Sequence, residues 1–190
     1  MGTIIFRAIY IFIMAVILAA LEVQIEAENG WAKNIPTWHP DPNKWYSKLY
    51  KKIMGGKELT GYHLFIFTFV LLIFHLPFFF NLKWTIAQEL NIICIFLIFV
   101  IIWDYLWFVI NPHFTIKDFK GDHIFWHSKW LLNLPTDYWG AVAISLILGF
   151  INDKFFNPHY IEEWFIFFIV MVILTLATKW FIKTFKPEWE

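Results

Sequence analysis

Cysteine and arginine are almost absent from this chain of 190 residues, which holds one cysteine, Cys94, and one arginine, Arg7. A single cysteine excludes an intrachain disulfide, and it also excludes zinc or iron–sulfur sites built from several thiolates of one chain. Any metal ion that one chain binds must therefore be held by histidine and carboxylate side chains.

The chain also lacks the short motifs of common soluble enzymes. It contains no GxSxG, no Walker loop, no GxGxxG and no HExxH, and it lacks the two Glu-x-x-His pairs of di-iron bundles. No basic patch interleaved with aromatic residues stands apart from the apolar pattern, so we expect no nucleic acid partner. The sequence therefore gives no support for a nucleotide-binding enzyme or for a hydrolase of a common type.

Charge is scarce and apolar residues are abundant. Charged residues make up 16% of the sequence, hydrophobic residues 59% and aromatic residues 22%, which is outside the usual composition of a soluble domain. Trp and Tyr favour the membrane interface. Five apolar segments approach the length needed to cross a hydrocarbon core of about 30 Å. We predict an all-α integral membrane protein, with one domain over residues 1–190 and spans at about 4–22, 62–80, 84–110, 137–152 and 161–182.

The first apolar segment has a second interpretation. Ala19 and Ala20 are small residues at a plausible distance from a short apolar core, so a cleaved signal peptide is the alternative to a first span. The segment is just long enough to cross the hydrocarbon core, and we expect it to be a span.

The distribution of basic residues predicts the orientation. Five crossings place residues 27–60, 112–135 and the C-terminal tail on one face, where they contribute six, three and three lysines, whereas the opposite face holds Arg7, Lys83 and Lys154. Cytoplasmic loops carry the excess of Lys and Arg. We therefore expect a multi-pass protein of the cell membrane, with its N-terminus outside and its C-terminus in the cytoplasm.

Two segments between the spans have the pattern of short interfacial helices. In residues 42–54, aromatic and aliphatic side chains recur at helical spacing. Residues 123–130 combine Phe and Trp with His123 and His127, which a helix would place side by side. Membrane docking is the expected role of the first segment, and the second offers two imidazoles next to the membrane surface.

Ionisable residues near the cytoplasmic ends of the spans are the candidates for chemistry, because charge inside a membrane is costly and is commonly functional. The predicted topology places them at similar depth, and carboxylates with neutral imidazoles suit iron, manganese or zinc. We predict that Glu22, His63, Asp104 and at least one of His123 and His127 converge on one site, which would hold either one or two divalent metal ions. The predicted ligands are Glu22, Glu26, His63, Asp104, His123 and His127.

Asp104 carries the most weight among these residues. It is flanked by apolar residues on both sides, and a buried carboxylate needs a cation or several hydrogen bonds. Apart from Lys179 in the last turn of the fifth span, no lysine lies inside a span, and Arg7 lies at the opposite end. A metal ion or a histidine is therefore the expected partner. Asp104 and Glu26 are also the predicted acid/base groups. The alternative is that Glu22 and Glu26 are solvated, that His63 caps its helix and that the HxxxH spacing arises by chance.

A second pair of polar residues lies toward the opposite face. His75 and Glu89 are each about five residues from the short connection at 81–83, so a helical hairpin brings them to the same depth, within reach of a hydrogen bond. Such interhelical bonds commonly join membrane helices. A b-type haem held by His75 and another histidine is a less favoured alternative.

These features support two hypotheses about function. The leading one is a membrane-embedded, metal-dependent enzyme that acts on a lipid or another apolar substrate at the cytoplasmic interface. It would be an oxidoreductase with iron or copper, or a hydrolase with zinc. The other is a non-catalytic structural or accessory subunit of a larger membrane complex. In that case the exposed aromatic residues would pack against a partner membrane protein or a second copy of this chain.

Overall fold

The protein is a bundle of α-helices, described here from a computed structural model over residues 1–114, 119–121, 123–127 and 129–185. Four of its helices, Gly2–Glu26, Gly61–Phe79, Ile86–Ile110 and Tyr160–Phe185, are long and apolar enough to cross a membrane, which confirms the predicted all-α membrane fold. The helices of the described residues are α1 Gly2–Glu26, α2 Trp45–Ile53, α3 Gly61–Phe79, α4 Ile86–Ile110, α5 Thr136–Phe155 and α6 Tyr160–Phe185. A short antiparallel hairpin pairs β1 Trp130–Leu131 with β2 Leu134–Pro135.

The fifth long helix, α5, is less apolar than the other four, yet it runs the whole length of the bundle. Its first turn contacts the last turns of α4, where the Tyr138 hydroxyl donates a hydrogen bond to Asp104. Its last turns contact the start of α4, where the Asn152 amide donates to the Ala87 carbonyl at 3.1 Å. Its 20 residues cover about 30 Å, which is the thickness of a hydrocarbon core. The helix therefore completes a bundle of five.

Contacts between α1, α4 and α6 define the two ends of the bundle. The Arg7 guanidinium at the start of α1 lies 3.5 Å from the Glu163 carboxylate at the start of α6. Lys179, near the end of α6, donates to the Tyr105 hydroxyl near the end of α4 at 3.4 Å. We call the end of the bundle that holds the ends of α1, α4 and α6 and the starts of α3 and α5 the site end.

Helix α4 occupies the centre of the bundle, and α1, α5, α6 and α3 pack around it. Phe99 and Leu106 of α4 are fully buried. On α1, Ala8, Ala15 and Ala19 are also fully buried. Their small side chains let the backbone of α1 approach the neighbouring helices closely. One face of α1 is therefore packed into the bundle, while the opposite face, with Phe6, Tyr10 and Ile17, is exposed.

The two predicted interfacial helices have different outcomes. The first is confirmed by α2, on which Trp45, Leu49 and Ile53 remain exposed at the spacing of one helix face. The second prediction is wrong, because the described residues of 123–130 form turns and the start of β1. Trp126 stacks on Phe108 of α4, with ring centroids 5.8 Å apart and an interplanar angle of 9°. Trp126 of this segment therefore packs on the bundle and helps to cover the site end.

Candidate metal centre

Three of the six predicted ligands come together at the site end. The His63 Nε2 atom lies 3.8 Å from Glu22 Oε1 and 3.6 Å from Glu26 Oε1, and all three residues are buried. Their ligand atoms all lie within 4.8 Å of one another, and no other group of this kind occurs in the described part of the chain. The two distances from His63 are within about 0.5 Å of the spacing of roughly 3.4 Å between two ligands of a tetrahedral zinc ion.

The two glutamates share one face of α1 because they are four residues apart. The Glu26 Oε1 atom also accepts a hydrogen bond from the Ala32 backbone N–H at 2.5 Å. Gly30, Trp31 and Ala32 all have positive φ values, of 46°, 52° and 53°, and successive residues in such turns direct their N–H groups to an anion. A positive φ costs about 1 to 3 kcal/mol at each residue other than glycine. The loop over residues 30–32 is therefore strained, and its N–H groups hold the Glu26 carboxylate as an anion-binding turn does.

His63 is held by a hydrogen bond at one ring nitrogen and by stacking on its ring face. Its Nδ1 atom lies 2.8 Å from the Thr60 hydroxyl, and the same oxygen accepts from the His63 backbone N–H and caps α3. The Trp31 indole stacks on the imidazole, with centroids 3.8 Å apart. When Nδ1–H donates to Thr60, the lone pair of Nε2 faces the two glutamates. A hydrogen bond at the second ring nitrogen is the usual support of a histidine that binds metal.

A buried donor lies next to these ligands. The Trp103 indole N–H lies near the Glu22 carboxylate, but it has no acceptor in hydrogen-bond geometry among the described residues. A buried N–H without a partner costs about 1 to 3 kcal/mol. A carboxylate that binds an ion through one oxygen can turn its second oxygen to such a donor, so the donor fits a Glu22 that acts as a ligand.

Asp104 belongs to a neighbouring group of charges. The Lys57 ammonium lies 3.7 Å from Asp104 Oδ1 and 3.0 Å from Asp137 Oδ2. The His127 ring bridges the same two carboxylates, with Nε2 3.2 Å from Asp104 Oδ2 and Nδ1 3.2 Å from Asp137 Oδ1. The Tyr138 hydroxyl donates to Asp104 as well. Cationic and anionic groups alternate, which offsets the cost of removing them from water.

His127 belongs to the group of charges around Asp104 and not to the group of Glu22, Glu26 and His63. Burial alone would lower the pKa of His127, but its contacts with Asp104 and Asp137 outweigh burial and hold that pKa above its ordinary value. The Nδ1 atom is hydrogen-bonded to Asp137, and Nε2 lies 3.2 Å from Asp104 without hydrogen-bond geometry, so both ring nitrogens face carboxylates rather than Glu22, Glu26 and His63. The prediction that His127 is a metal ligand is therefore not supported by its surroundings.

One cavity joins the two groups. It has a volume of about 840 Å³, and Glu22, His63, Asp104 and Asp137 lie in its wall at the site end. Apolar residues of α3, α4 and α5 form its deeper walls, among them Phe67, Phe96, Leu97, Val100, Ile101, Ala141 and Ile144. Its volume is in the range of sites that bind small molecules.

No known protein family, curated protein or solved structure matches this chain. Neither fold nor relatedness therefore supplies a function. The function has to be argued from the chemistry of the site itself.

Lys57 is the residue that sequence reasoning missed. The expectation that Asp104 has no lysine partner is wrong, because Gly55 and Gly56, with φ values of 64° and 106°, reverse the chain after α2 and carry Lys57 into the bundle. The Lys57 ammonium also lies 4.7 Å from the centre of the Trp31 ring. The signal was a glycine pair directly before a lysine, next to a span whose aspartate lacked a cation.

The remaining predicted ligand, His123, does not belong to the group of Glu22, Glu26 and His63. Its side chain is exposed in a turn, whereas His127 is buried. The side-by-side arrangement that the HxxxH spacing predicts requires a helix, and these residues do not form one. His123 is therefore not brought to the ligands around His63.

The predicted contact between His75 and Glu89 is confirmed. The His75 Nε2 atom lies 3.0 Å from Glu89 Oε1, and Nδ1–H donates to the Leu71 carbonyl at 2.7 Å. The Trp84 indole donates to the second oxygen of Glu89 at 3.0 Å, a contact that was not predicted. Both ring nitrogens of the histidine on which the haem alternative depends are thus engaged within the protein.

Proposed function

We propose that the protein is a membrane-embedded enzyme that binds one divalent metal ion through Glu22, Glu26 and His63 and acts on a lipid or another apolar substrate. The observation that carries this proposal is a buried triad of ligand atoms that adjoins a largely apolar cavity. Three protein ligands leave coordination positions for water or substrate, as in catalytic rather than structural metal sites.

The charges at the triad favour a cation. Two buried carboxylates face a single imidazole there, and uncompensated charge in such a place is costly. The nearby Lys57 is already paired with Asp104 and Asp137. A divalent ion would neutralise both glutamates and use His63 as a neutral ligand.

The ligand types limit the choice of metal. Two carboxylates and one imidazole suit iron, manganese or zinc better than soft ions such as copper(I), which prefer sulfur. A bound ion of this kind would supply Lewis acid chemistry and an activated water. Thr60 would orient His63, the strained turn before Ala32 would orient Glu26, and the apolar walls would exclude bulk water. An acid/base role for Asp104, which faces the same cavity, remains a prediction.

Metal analysis of the purified protein tests this proposal. We expect iron, manganese or zinc at about one ion per chain, and we expect His63→Gln to weaken metal binding by at least about tenfold. His75→Gln is the matched control, because it changes the same residue type on the same helix outside the triad, and it should retain the metal. Size-exclusion chromatography and circular dichroism would verify that both variants are folded.

A wild-type protein that binds none of these ions when they are supplied would overturn the proposal. Equal metal content in His63→Gln and His75→Gln would overturn it as well. In either case an accessory subunit becomes the better explanation of the fold.

A further inference from the structure

We propose that the cavity binds an anionic phospholipid, with one acyl chain between α3, α4 and α5 and the head group beside Lys52 and Lys129. This inference rests on the proposed function, because it names the substrate class of the same site. Three features of the cavity support it: its polar and apolar ends, its opening between α3 and α5, and the positive charge at its mouth.

The cavity is polar at one end and apolar at the other, as a lipid in one leaflet is. Its titratable groups, such as His63 and Asp104, lie at the site end, near helix termini. Phe96 lies eight residues before Asp104 on α4, which places it about 12 Å deeper in the bundle. A polar head at the site end and an acyl chain toward the bilayer centre therefore match the two ends of the cavity.

The cavity is open on the side where an acyl chain would enter. Helix α3 has its main helix contact with α4, whereas α5 packs against α4 and α6, so α3 and α5 make at most a slight contact with each other. Phe67 of α3 and Ile144 of α5 both lie in the cavity wall. A hydrophobic chain can pass between these two helices directly from the membrane, without crossing water.

The mouth of the cavity carries positive charge. Lys52 on α2 and Lys129 before β1 line the mouth and are exposed, and neither forms an ion pair with a described residue. Lys51, next to Lys52, is paired with Glu58 at 3.0 Å. The aspartates deeper in the cavity are paired with Lys57 and His127. Lys52 and Lys129 are therefore the cations that remain for a phosphate.

The position of the triad limits where on the lipid it would act. Glu22 and His63 lie at the polar end of the cavity, beside the place assigned to the head group. The deeper part is lined by hydrocarbon side chains alone, such as Val100 and Ala141. The reacting bond is therefore in the head group or next to it, and not in the middle of the acyl chain.

Lipid binding to the purified, detergent-solubilised protein tests the inference. Native mass spectrometry would compare phosphatidylglycerol with phosphatidylcholine of the same chains. We expect tighter binding of phosphatidylglycerol, and a loss of roughly fivefold on Lys52→Gln and again on Lys129→Gln, with phosphatidylcholine unchanged. Ala141→Trp should fill the cavity and weaken phosphatidylglycerol binding at least tenfold. Ala143→Trp, an exposed position two residues away, is the matched control.

Gly140→Leu provides a second way to fill the cavity. A Cβ atom at Gly140 meets no other atom within 4 Å, so this change adds volume without a backbone clash. It should weaken phosphatidylglycerol binding as Ala141→Trp does. Equal binding to the cavity variants and to Ala143→Trp, or equal binding of both lipids, would overturn the inference.

Metal content measured on the same samples separates this inference from the proposed function. Ala141→Trp should lose the lipid and keep the metal. His63→Gln and chelator-treated wild type should lose the metal and keep the lipid. Failure of lipid binding alone rejects the substrate class, and failure of metal binding alone rejects the metal centre.

Discussion

At the scale of single residues, the buried Lys57 decides the electrostatics of the site end. It is 5% exposed, and its ammonium is shared between Asp104 of α4 and Asp137 of α5. Because two helices and one connection meet at this one cation, its charge holds separate parts of the chain together. A buried ion pair is costly to break from one side, since the remaining charge stays behind without compensation.

We therefore expect Lys57→Met to destabilise the protein by about 2 to 4 kcal/mol, somewhat below the loss for fully buried pairs because both aspartates are partly exposed. Chemical unfolding in detergent, followed by circular dichroism, would measure this change. Lys51→Met is the control, since the exposed pair of Lys51 with Glu58 should contribute less than about 1 kcal/mol. Equal losses for the two variants would contradict the role assigned to Lys57.

The sequence predicted single contacts only where regular geometry fixes them. His75 and Glu89 were predicted to meet because two helices joined by a short turn must bring them to one depth. Glu22 and His63 were predicted near each other for a similar reason, as residues at neighbouring helix ends. Lys57 was not predicted, because its position depends on the backbone of a glycine turn and not on a periodic pattern.

At the scale of elements, the loops of the site end determine how the helices present their ligands. The loop after α1 contacts the segment before β1, where the Trp126 ring lies against the Gly30 backbone. The Asn111 amide at the end of α4 donates to the Ala27 carbonyl at 2.8 Å. These contacts fix the last turn of α1, which carries Glu26.

Gly30→Ala should therefore disrupt this end of the bundle. The added Cβ would lie 2.2 Å from a Trp126 ring carbon, and the φ of +46° is itself unfavourable for alanine by about 1 to 2 kcal/mol. We expect a loss of several kcal/mol in the free energy of unfolding, measured by chemical unfolding. Gly2→Ala is the control, because nothing lies within 4 Å of its added Cβ. An equally stable Gly30→Ala protein would contradict the close packing described here.

Sequence patterns predicted the long helices and the short helix α2 well, but they predicted the segment before β1 poorly. Runs of apolar residues long enough to cross a bilayer have few alternatives to a helix, because every backbone polar group must be bonded internally in lipid. The pattern of residues 123–130 was interpreted as a surface helix, but Trp126 packs on Phe108, which lies 18 residues earlier in the chain. Such long-range packing leaves no trace in local periodicity.

At the scale of the whole molecule, the orientation in the membrane remains a prediction. The basic residues that determine it lie mostly at the site end, in the segments around α2 and before β1. If the site end is cytoplasmic, the proposed metal centre and the cavity mouth face the cytoplasmic leaflet.

Cysteine accessibility tests this orientation in a Cys94→Ala background, where no other thiol is present. A cysteine that replaces Lys52 should resist an impermeant thiol reagent in intact cells and react in inverted vesicles. A cysteine that replaces Lys83, at the opposite end, should show the reverse pattern. Labelling of the Lys52 position from outside would show that the molecule is inserted the other way.

The slight attachment of α3 has a consequence for cooperativity. Most helices of the bundle share broad packed surfaces with two or more neighbours, whereas α3 depends on α4 and on the contacts of its first turn around His63. A ligand bound by both α1 and α3 would stabilise only the docked form of α3, by an amount that grows with ligand concentration. Occupancy of the site would then slow the local opening of α3 and its hydrogen exchange, while leaving that of α4 nearly unchanged.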